Sequence, residues 1–331
     1  MKVLLTGGAG YIGSHVLRAV LGAGHECLVY DSLIKGHAEA VESVGARLVL
    51  GDIADSQTLG RTLVENEIDT VINFAAFIEA GESVEKPEKY FRNNTAKSLE
   101  LLETMRVSGV RRIVFSSTAA VYGTPDRVPI QETAPRAPIN PYGSSKLCVE
   151  YMLQAYAGAY GLGAATLRYF NVAGADPSGD VGEDHTPETH LVPLVLQVPM
   201  GRRDEIRIFG DDYDTPDGTC IRDYIHVCDL ADAHVLAAGA IEPGEVKVYN
   251  LGNGEGFSVK EVIETCREVT GHEIPAEIAP RRPGDPPRLV ASSQKAIDEL
   301  NWRPRFPELK TIVADAWRWH ESHPGGYDRQ C

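Results

Sequence analysis

Apolar and polar positions follow two rhythms through the first half of the chain. Short runs rich in β-branched residues predict strands at Lys2–Thr6, Cys27–Tyr30, Arg47–Leu50, Thr70–Phe74, Arg112–Ser116 and Ala165–Tyr169. Between them, apolar residues recur at helical spacing up to Leu21, near Ser56–Glu65, and through Pro87–Ser108 and Pro141–Tyr160. Gly22 and Gly24 close the first of these helices. Strands alternating with helices predict βαβ units and a parallel sheet, an α/β fold.

After Asn171 the rhythm breaks. Turn residues gather in Gly174–Pro187 and Gly210–Gly218. Ser258-x-x-Glu261 is a capping box for a helix over Val259–Val269, with Val262, Ile263 and Cys266 on one face. We therefore divide the chain into 1–170 and 171–331. The second part is a smaller α/β C-terminal substrate domain, with a segment near 222–240 expected to return to the first.

Composition narrows the function classes. Hydrophobic residues make up 43% and charged residues 24%, which suits a folded soluble protein rather than a disordered one. A net charge of −15 repels nucleic acid and anionic membranes, so neither is an expected partner. An anionic ligand must then meet a local cluster of donors. No apolar run approaches the ~20 residues that span a bilayer, and a cytoplasmic protein is expected. The cysteines include no C-x-x-C and are read as reduced thiols, Cys331 lying in the tail.

Thr6-Gly7-Gly8-Ala9-Gly10-Tyr11-Ile12-Gly13 follows a strand and opens a helix. Glycines there let the backbone turn tightly and approach a pyrophosphate, which the helix N-terminus then binds. Alone the motif is weak. Asp31, ending the next strand at the expected distance, strengthens it. Its carboxylate accepts ribose hydroxyls and repels a 2′-phosphate, so the reading is NAD on a Rossmann-type doubly wound parallel sheet. Tyr142-x-x-x-Lys146 sits at the start of a long helix, where a spacing of four puts both side chains on one face. Bringing a phenol from ~10 toward ~7 takes about 4 kcal/mol. An ammonium ~6 Å away supplies roughly 3 kcal/mol at an effective dielectric near 20, and a cationic nicotinamide the rest. Such a pair is common by chance; its position beyond Ser116-Ser117-Thr118, at a strand end, gives it weight.

Together with these motifs, Arg168-Tyr169-Phe170-Asn171, Arg222-Asp223-Tyr224-Ile225-His226-Val227 and Tyr249-Asn250-Leu251-Gly252 make the chain resemble the extended short-chain dehydrogenase/reductase family. Gly81-Glu82-Ser83-Val84, Pro177-Ser178-Gly179-Asp180, Gly182-Glu183-Asp184 and Ala279-Pro280-Arg281-Arg282 point within it to the nucleotide-sugar epimerases. The resemblance implies NAD-dependent 4-epimerisation of a UDP-hexose through a 4-keto sugar, within galactose metabolism. Tyr142 would move the proton of the 4-hydroxyl, Lys146 would lower the tyrosine pKa and hold the nicotinamide ribose, and Thr118 would bond the reacting oxygen.

The same resemblance places cofactor contacts at Gly7, Gly10, Tyr11, Ile12, Gly13, Asp31, Ser32, Leu33, Lys35, Gly36, Asp52, Ile53, Phe74, Ala75, Ala76, Ile78, Asn93, Ser116 and Phe170, besides Tyr142 and Lys146. Substrate positions fall at Thr118, Tyr142, Asn171, His190, Leu191, Arg207, Phe209, Arg222, Tyr224, Arg282, Asp285 and Leu289. Ile78 and His190 replace a Lys and an Asn of some relatives. Leu289, intermediate in size, leaves acceptance of N-acetylated sugars open. Ala119-Ala120 replaces the Asp-Glu that dehydratases use for proton transfer. A UDP-glucuronate or UDP-pentose 4-epimerase remains an alternative, and a non-catalytic NAD-binding regulator is a distant one.

No metal is expected. Asp212-x-Asp214-x-x-Asp217-Gly218 breaks the calcium-loop pattern at Pro216, and His185 and His190, beside Glu183 and Asp184, lack recognised zinc spacing. A homodimer is expected through the helices near Lys89–Ser108 and Tyr142–Tyr160, where Leu99, Leu102, Val149 and Leu153 either form its apolar seam or face the sheet.

Overall fold

A computed structural model describes residues 1–282 and 285–327; Cys331 lies outside them. Seven parallel strands form the central sheet: β1 (Lys2–Thr6), β2 (Glu26–Asp31), β3 (Arg47–Leu50), β4 (Thr70–Asn73), β5 (Arg112–Thr118), β6 (Gly163–Tyr169) and a last strand, Val246–Leu251. Their order is β3-β2-β1-β4-β5-β6 followed by Val246–Leu251. The order reverses direction at β1 and β4, and a crevice opens there outside the carboxyl ends of the strands, where such sheets bind ligands.

The strands read as nearly unbroken apolar runs because both faces are covered. On one face α1 (Tyr11–Gly22) and the helix Val227–Gly239 pack through Val16, Leu17, Val20, Leu230, Ala233 and Ala237. On the other, Leu59, Leu101, Leu102, Val149 and Leu153 cover Leu4, Val71 and Ile113. Full burial of such side chains contributes ~1.5–3 kcal/mol each. Both Val227–Gly239 and Val246–Leu251 thus belong to the first core, although the chain reaches them after its excursion past Asn171. Of the two readings for the seam residues, Leu102, Val149 and Leu153 follow the second and are buried against the sheet; Leu99, at 40% exposure, is the one of the four that faces outward.

The expected single helix over Pro87–Ser108 contains a π-helical segment, Phe91–Ala96, between α-helical Pro87–Tyr90 and Lys97–Val107. The expected capping box is formed, with Ser258 and Glu261 bonded reciprocally at the start of Val259–Thr270. This helix, with Val192, Val195, Ile206, Ile208, Ile312 and Val313, builds a separate core beneath three small sheets. No helix among the described residues is long and apolar enough to cross a membrane.

Candidate active site

The crevice at the strand ends is a cleft of about 340 Å³, and Gly7, Gly10, Asp31, Thr118, Tyr142 and Lys146 all line it. The glycine turn shows a division of labour. Gly7 has φ +73°, and a Cβ there would lie 2.6 Å from the Ala75 backbone nitrogen. A Cβ on Gly13 would lie 2.5 Å from the Gly7 carbonyl, so the helix start can approach the strand only without one. Gly10 is different: a Cβ there would meet only the Gly7 carbonyl, at 3.5 Å. Its bare Cα therefore serves whatever enters from the cleft. That groove, at a helix N-terminus with no acidic residue in its first turn, fits a pyrophosphate.

Asp31 ends β2 with its carboxylate accepting from the backbone N–H of Ala9 at 2.9 Å and of Leu33 at 2.8 Å. Burial raises its pKa, and those N–H donors oppose the rise. Leu33 does not line the cleft, contrary to expectation. It turns into the core at φ 56° and contributes only the backbone N–H that fixes Asp31. Asp52 caps its own turn through Ala54 N–H at 2.9 Å and pairs with Lys97, while still lining the cleft beside Ile53. Lys35 spans the cleft mouth, donating to the Thr186 carbonyl at 2.8 Å and pairing with Glu79 at 3.1 Å. Ser32, Gly36, Tyr11, Ile12, Phe74, Ala75, Ala76, Ile78, Asn93, Ser116 and Phe170 complete the expected set along its walls. Asn93 stands on the π-helical segment, whose next residue, Asn94, bonds both backbone groups of Phe77 at 2.8 and 2.9 Å. Extra turns of this kind are frequent at functional sites.

Tyr142 and Lys146 occupy the first turn and a half of the helix Pro141–Tyr160, whose Asn140 cap accepts from Gly143 N–H at 2.8 Å. Lys146 is 3% exposed, donates to the Ser116 carbonyl at 2.8 Å, and is pulled by burial down to about 7. Burial pushes the Tyr142 phenol up to about 12; the nearby Thr118 hydroxyl opposes this, and the Glu79 charge adds to it. Lys146 is not among the groups acting on that phenol. The expected lowering of the tyrosine pKa by its lysine is therefore not a property of the chain alone. The ammonium is spent on the β5 carbonyl, and burial outweighs what remains.

Several residues at this site were given no role by the sequence. Tyr169 bonds Ser116 through its hydroxyl and lines the cleft. Behind the catalytic strand end, Arg168 holds Glu150 through two bonds, at 2.9 and 2.6 Å, and donates to the Tyr122 hydroxyl at 2.8 Å. Ser117, between the two site residues Ser116 and Thr118, donates to the same Glu150 at 2.7 Å. This buried pair holds the end of β5 in place. Arg168 was visible only as part of a motif, and Glu150 not at all.

The expected substrate residues separate into two groups. Asn171 and His190 line the cleft, and Leu289 packs beside it against Phe170 and Ala119. Arg222 pairs with Asp285 on the small sheet joining Ile221–Arg222 to Arg288–Leu289. Arg282 stacks over Phe209 at 4.1 Å, and Arg207 beside it is 66% exposed. Tyr224 is buried on the strand that pairs with Asn171; Leu191 opens the short helix Leu191–Leu196. His190 does not stand alone as a nucleotide donor: it sits against Glu183, His185 and Glu188. The acidic loop near Asp212 shows no such convergence. Asp217 is spent on Thr219 and Ser258, and Asp212 on Arg281.

Residues 3–252 match the sequence family described as NAD dependent epimerase/dehydratase family. The chain is 55% identical over 331 residues to a UDP-glucose 4-epimerase of Halalkalibacterium halodurans, covering all of this chain and 98% of the relative. Its fold superposes with a TM-score of 0.95 on a crystal structure of a UDP-glucose 4-epimerase that is 51% identical, covering 99% of this chain and 100% of that one. The UDP-glucose 4-epimerase from Bifidobacterium longum, solved in complex with NAD+ and UDP, gives a TM-score of 0.94 at 41% identity over 99% of this chain and 100% of that one.

Proposed function

The chain belongs to the NAD dependent epimerase/dehydratase family, and we infer that it is an NAD-dependent isomerase inverting C4 of a UDP-hexose, so that UDP-glucose and UDP-galactose interconvert. One observation carries the reading: Thr118, Tyr142 and Lys146 converge at the end of β5 in the cleft that the Gly7–Gly13 turn opens. The Gly7–Gly13 turn, Asp31 and Lys146 would hold NAD, which would supply a reversible hydride acceptor and a positive charge.

The chain's own residues do the rest. Thr118 and Tyr142, which line the same cleft, offer two hydroxyls to the sugar 4-oxygen. Burial holds the Tyr142 pKa at about 12, so the phenol keeps its proton in the chain alone. It becomes a base only when positive charge enters beside it, which couples proton removal to an occupied cofactor site. Lys146, fixed to Ser116, keeps its donors at the floor of the cleft for a ribose hydroxyl. Arg222, Arg207 and Arg282 supply the local positive charge that a diphosphate needs on an acidic protein. Ala119 and Ala120, directly after Thr118, carry no proton-transfer group, so the keto sugar is re-reduced rather than dehydrated.

The enzyme works in the cytoplasm as a homodimer. A nicotinamide cofactor and the free thiols Cys27, Cys148, Cys220, Cys228 and Cys266 suit a reducing compartment. Exposed Leu99, Val107, Tyr151 and Tyr160 on the two helices expected at the interface support dimerisation. Incubating the purified protein with UDP-galactose, without added nicotinamide, should yield UDP-glucose by anion-exchange chromatography. No conversion, even after NAD is supplied, would overturn the reading. Conversion of UDP-N-acetylgalactosamine in a parallel sample would show that Leu289 leaves room for an acetamide.

A further inference from the structure

The loop that walls the cofactor cleft carries two Glu-x-His pairs, Glu183/His185 and Glu188/His190. One ligand atom from each of the four lies within 4.8 Å of all the others. The separations are 2.6 Å from His190 Nδ1 and 3.2 Å from His185 Nδ1 to Glu183 Oε1, 3.2 Å from His190 Nδ1 to Glu188 Oε1, and 3.7 Å from His185 Nδ1 to Glu188 Oε2. Four ligands at the usual zinc distances of ~2.0–2.1 Å, arranged as a tetrahedron, have edges of about 3.3 Å. The cluster already has that size.

Direction is the second observation. Glu183 is 4% exposed, yet its Oε1 has no hydrogen-bond partner, and neither does the Nδ1 of His185 or of His190. At these separations two nitrogens and a carboxylate would bond if they pointed at one another. They lie instead within 4.8 Å of one another, together with a Glu188 oxygen, and unpaired. Buried polar atoms left in this way are costly and ask for an explanation.

We propose that Glu183, His185, Glu188 and His190 form a divalent metal site for zinc, closed by protein ligands on all four sides, on the wall of the cofactor cleft. Two imidazole nitrogens and two carboxylates suit zinc better than magnesium or calcium, which take oxygen ligands. Glu188 is oriented for the task by the backbone N–H groups of Thr189 and His190, at 2.6 and 2.7 Å. The His185 ring meets Tyr11 edge to face at 6.2 Å, at the start of α1, so the metal would tie this loop beside the glycine turn. The site is structural: no ligand position is left for water. The rival state is metal-free, with both imidazoles protonated between the two carboxylates.

The test is metal analysis of the purified holoenzyme after gel filtration, followed by titration with zinc chloride against a chromophoric chelator. One zinc per chain is expected. Replacement by cobalt(II) should give the intense visible bands of a tetrahedral site. His185→Ala and Glu183→Gln should each weaken zinc binding by at least about a hundredfold, more than loss of an outer-shell partner costs. Absence of zinc in the wild-type holoenzyme together with no uptake in the titration would overturn the site, as would a weak octahedral cobalt spectrum that both variants share. The wild-type measurements decide the matter even if a variant fails to fold.

Discussion

The two sides of the cleft are built differently. On the cofactor side, Asp31, Lys146, Glu150 and Arg168 are all buried and held by strand ends or by a long helix. On the substrate side, Arg207 lies on a two-stranded sheet at 66% side-chain exposure, and Arg222 pairs with Asp285 from the central strand of a three-stranded one. The first side pays the desolvation of its polar groups during folding, so that they are fixed before any ligand arrives. The second leaves Arg207 hydrated until a diphosphate takes the place of water. Substitutions on the cofactor side should therefore disturb chemistry or folding, and those on the substrate side chiefly KM.

The largest effect tests the chemistry. Tyr142→Phe should lower kcat by about 10²- to 10⁴-fold, the usual contribution of a positioned acid or base, while the protein still purifies with NAD. Retained activity would remove the cofactor side's claim to the reaction. Next comes its scaffold. Glu150→Gln leaves the Arg168 charge buried without its counter-ion, a change that typically costs 3–5 kcal/mol. Chemical denaturation should show a loss of about that size. A loss as small as that of a surface change would mean the polar layer behind β5 does not hold the strand end.

The same contrast sets what could be read from the chain before its structure. The sheet, the glycine turn, Asp31 and the Tyr142/Lys146 pair were legible because regular elements convert sequence spacing into position: a strand end, a helix start, one helical face. The π-helical segment at Phe91–Ala96 was not, since nothing in its residues marks a changed hydrogen-bond register. Nor was the Arg168–Glu150 pair, whose partners meet only because β6 lies under the Tyr142 helix. The loop Glu183–His190 defeated spacing rules in the opposite way. Its residues match no recognised zinc pattern, yet the turn brings them together. On the substrate side, chemistry alone suggested arginines, and resemblance alone chose which.

A third substitution tests whether the cofactor side sacrifices stability for function. Burial lowers Lys146 from 10.5 to about 7, so folding penalises its charged form. For a cation depressed in this way, stability is highest above pH 10.5 and is lost as pH falls toward 7. Lys146→Met removes the penalty, offset by about 1 kcal/mol for the lost bond to the Ser116 carbonyl. In NAD-free protein the variant should be the more stable, by on the order of a few kcal/mol near pH 7, with the gain shrinking as pH rises toward 10.5. A gain independent of pH would place the lysine's cost elsewhere.

The smallest effect belongs to the open side and decides the comparison. Arg207 has only a long contact of 3.9 Å to Glu205, and both groups are hydrated, so the folded state owes it little. Its worth lies in a charge-assisted bond made only with bound diphosphate, typically ~1.5–3 kcal/mol, of which solvent exposure leaves the lower part. Arg207→Ala should raise KM for the UDP-sugar by roughly tenfold and leave Tm and kcat close to their starting values. A kcat that fell with KM unchanged would mean the arginine acts on the reacting sugar. A Tm that fell as far as in Glu150→Gln would mean the two sides are built alike after all.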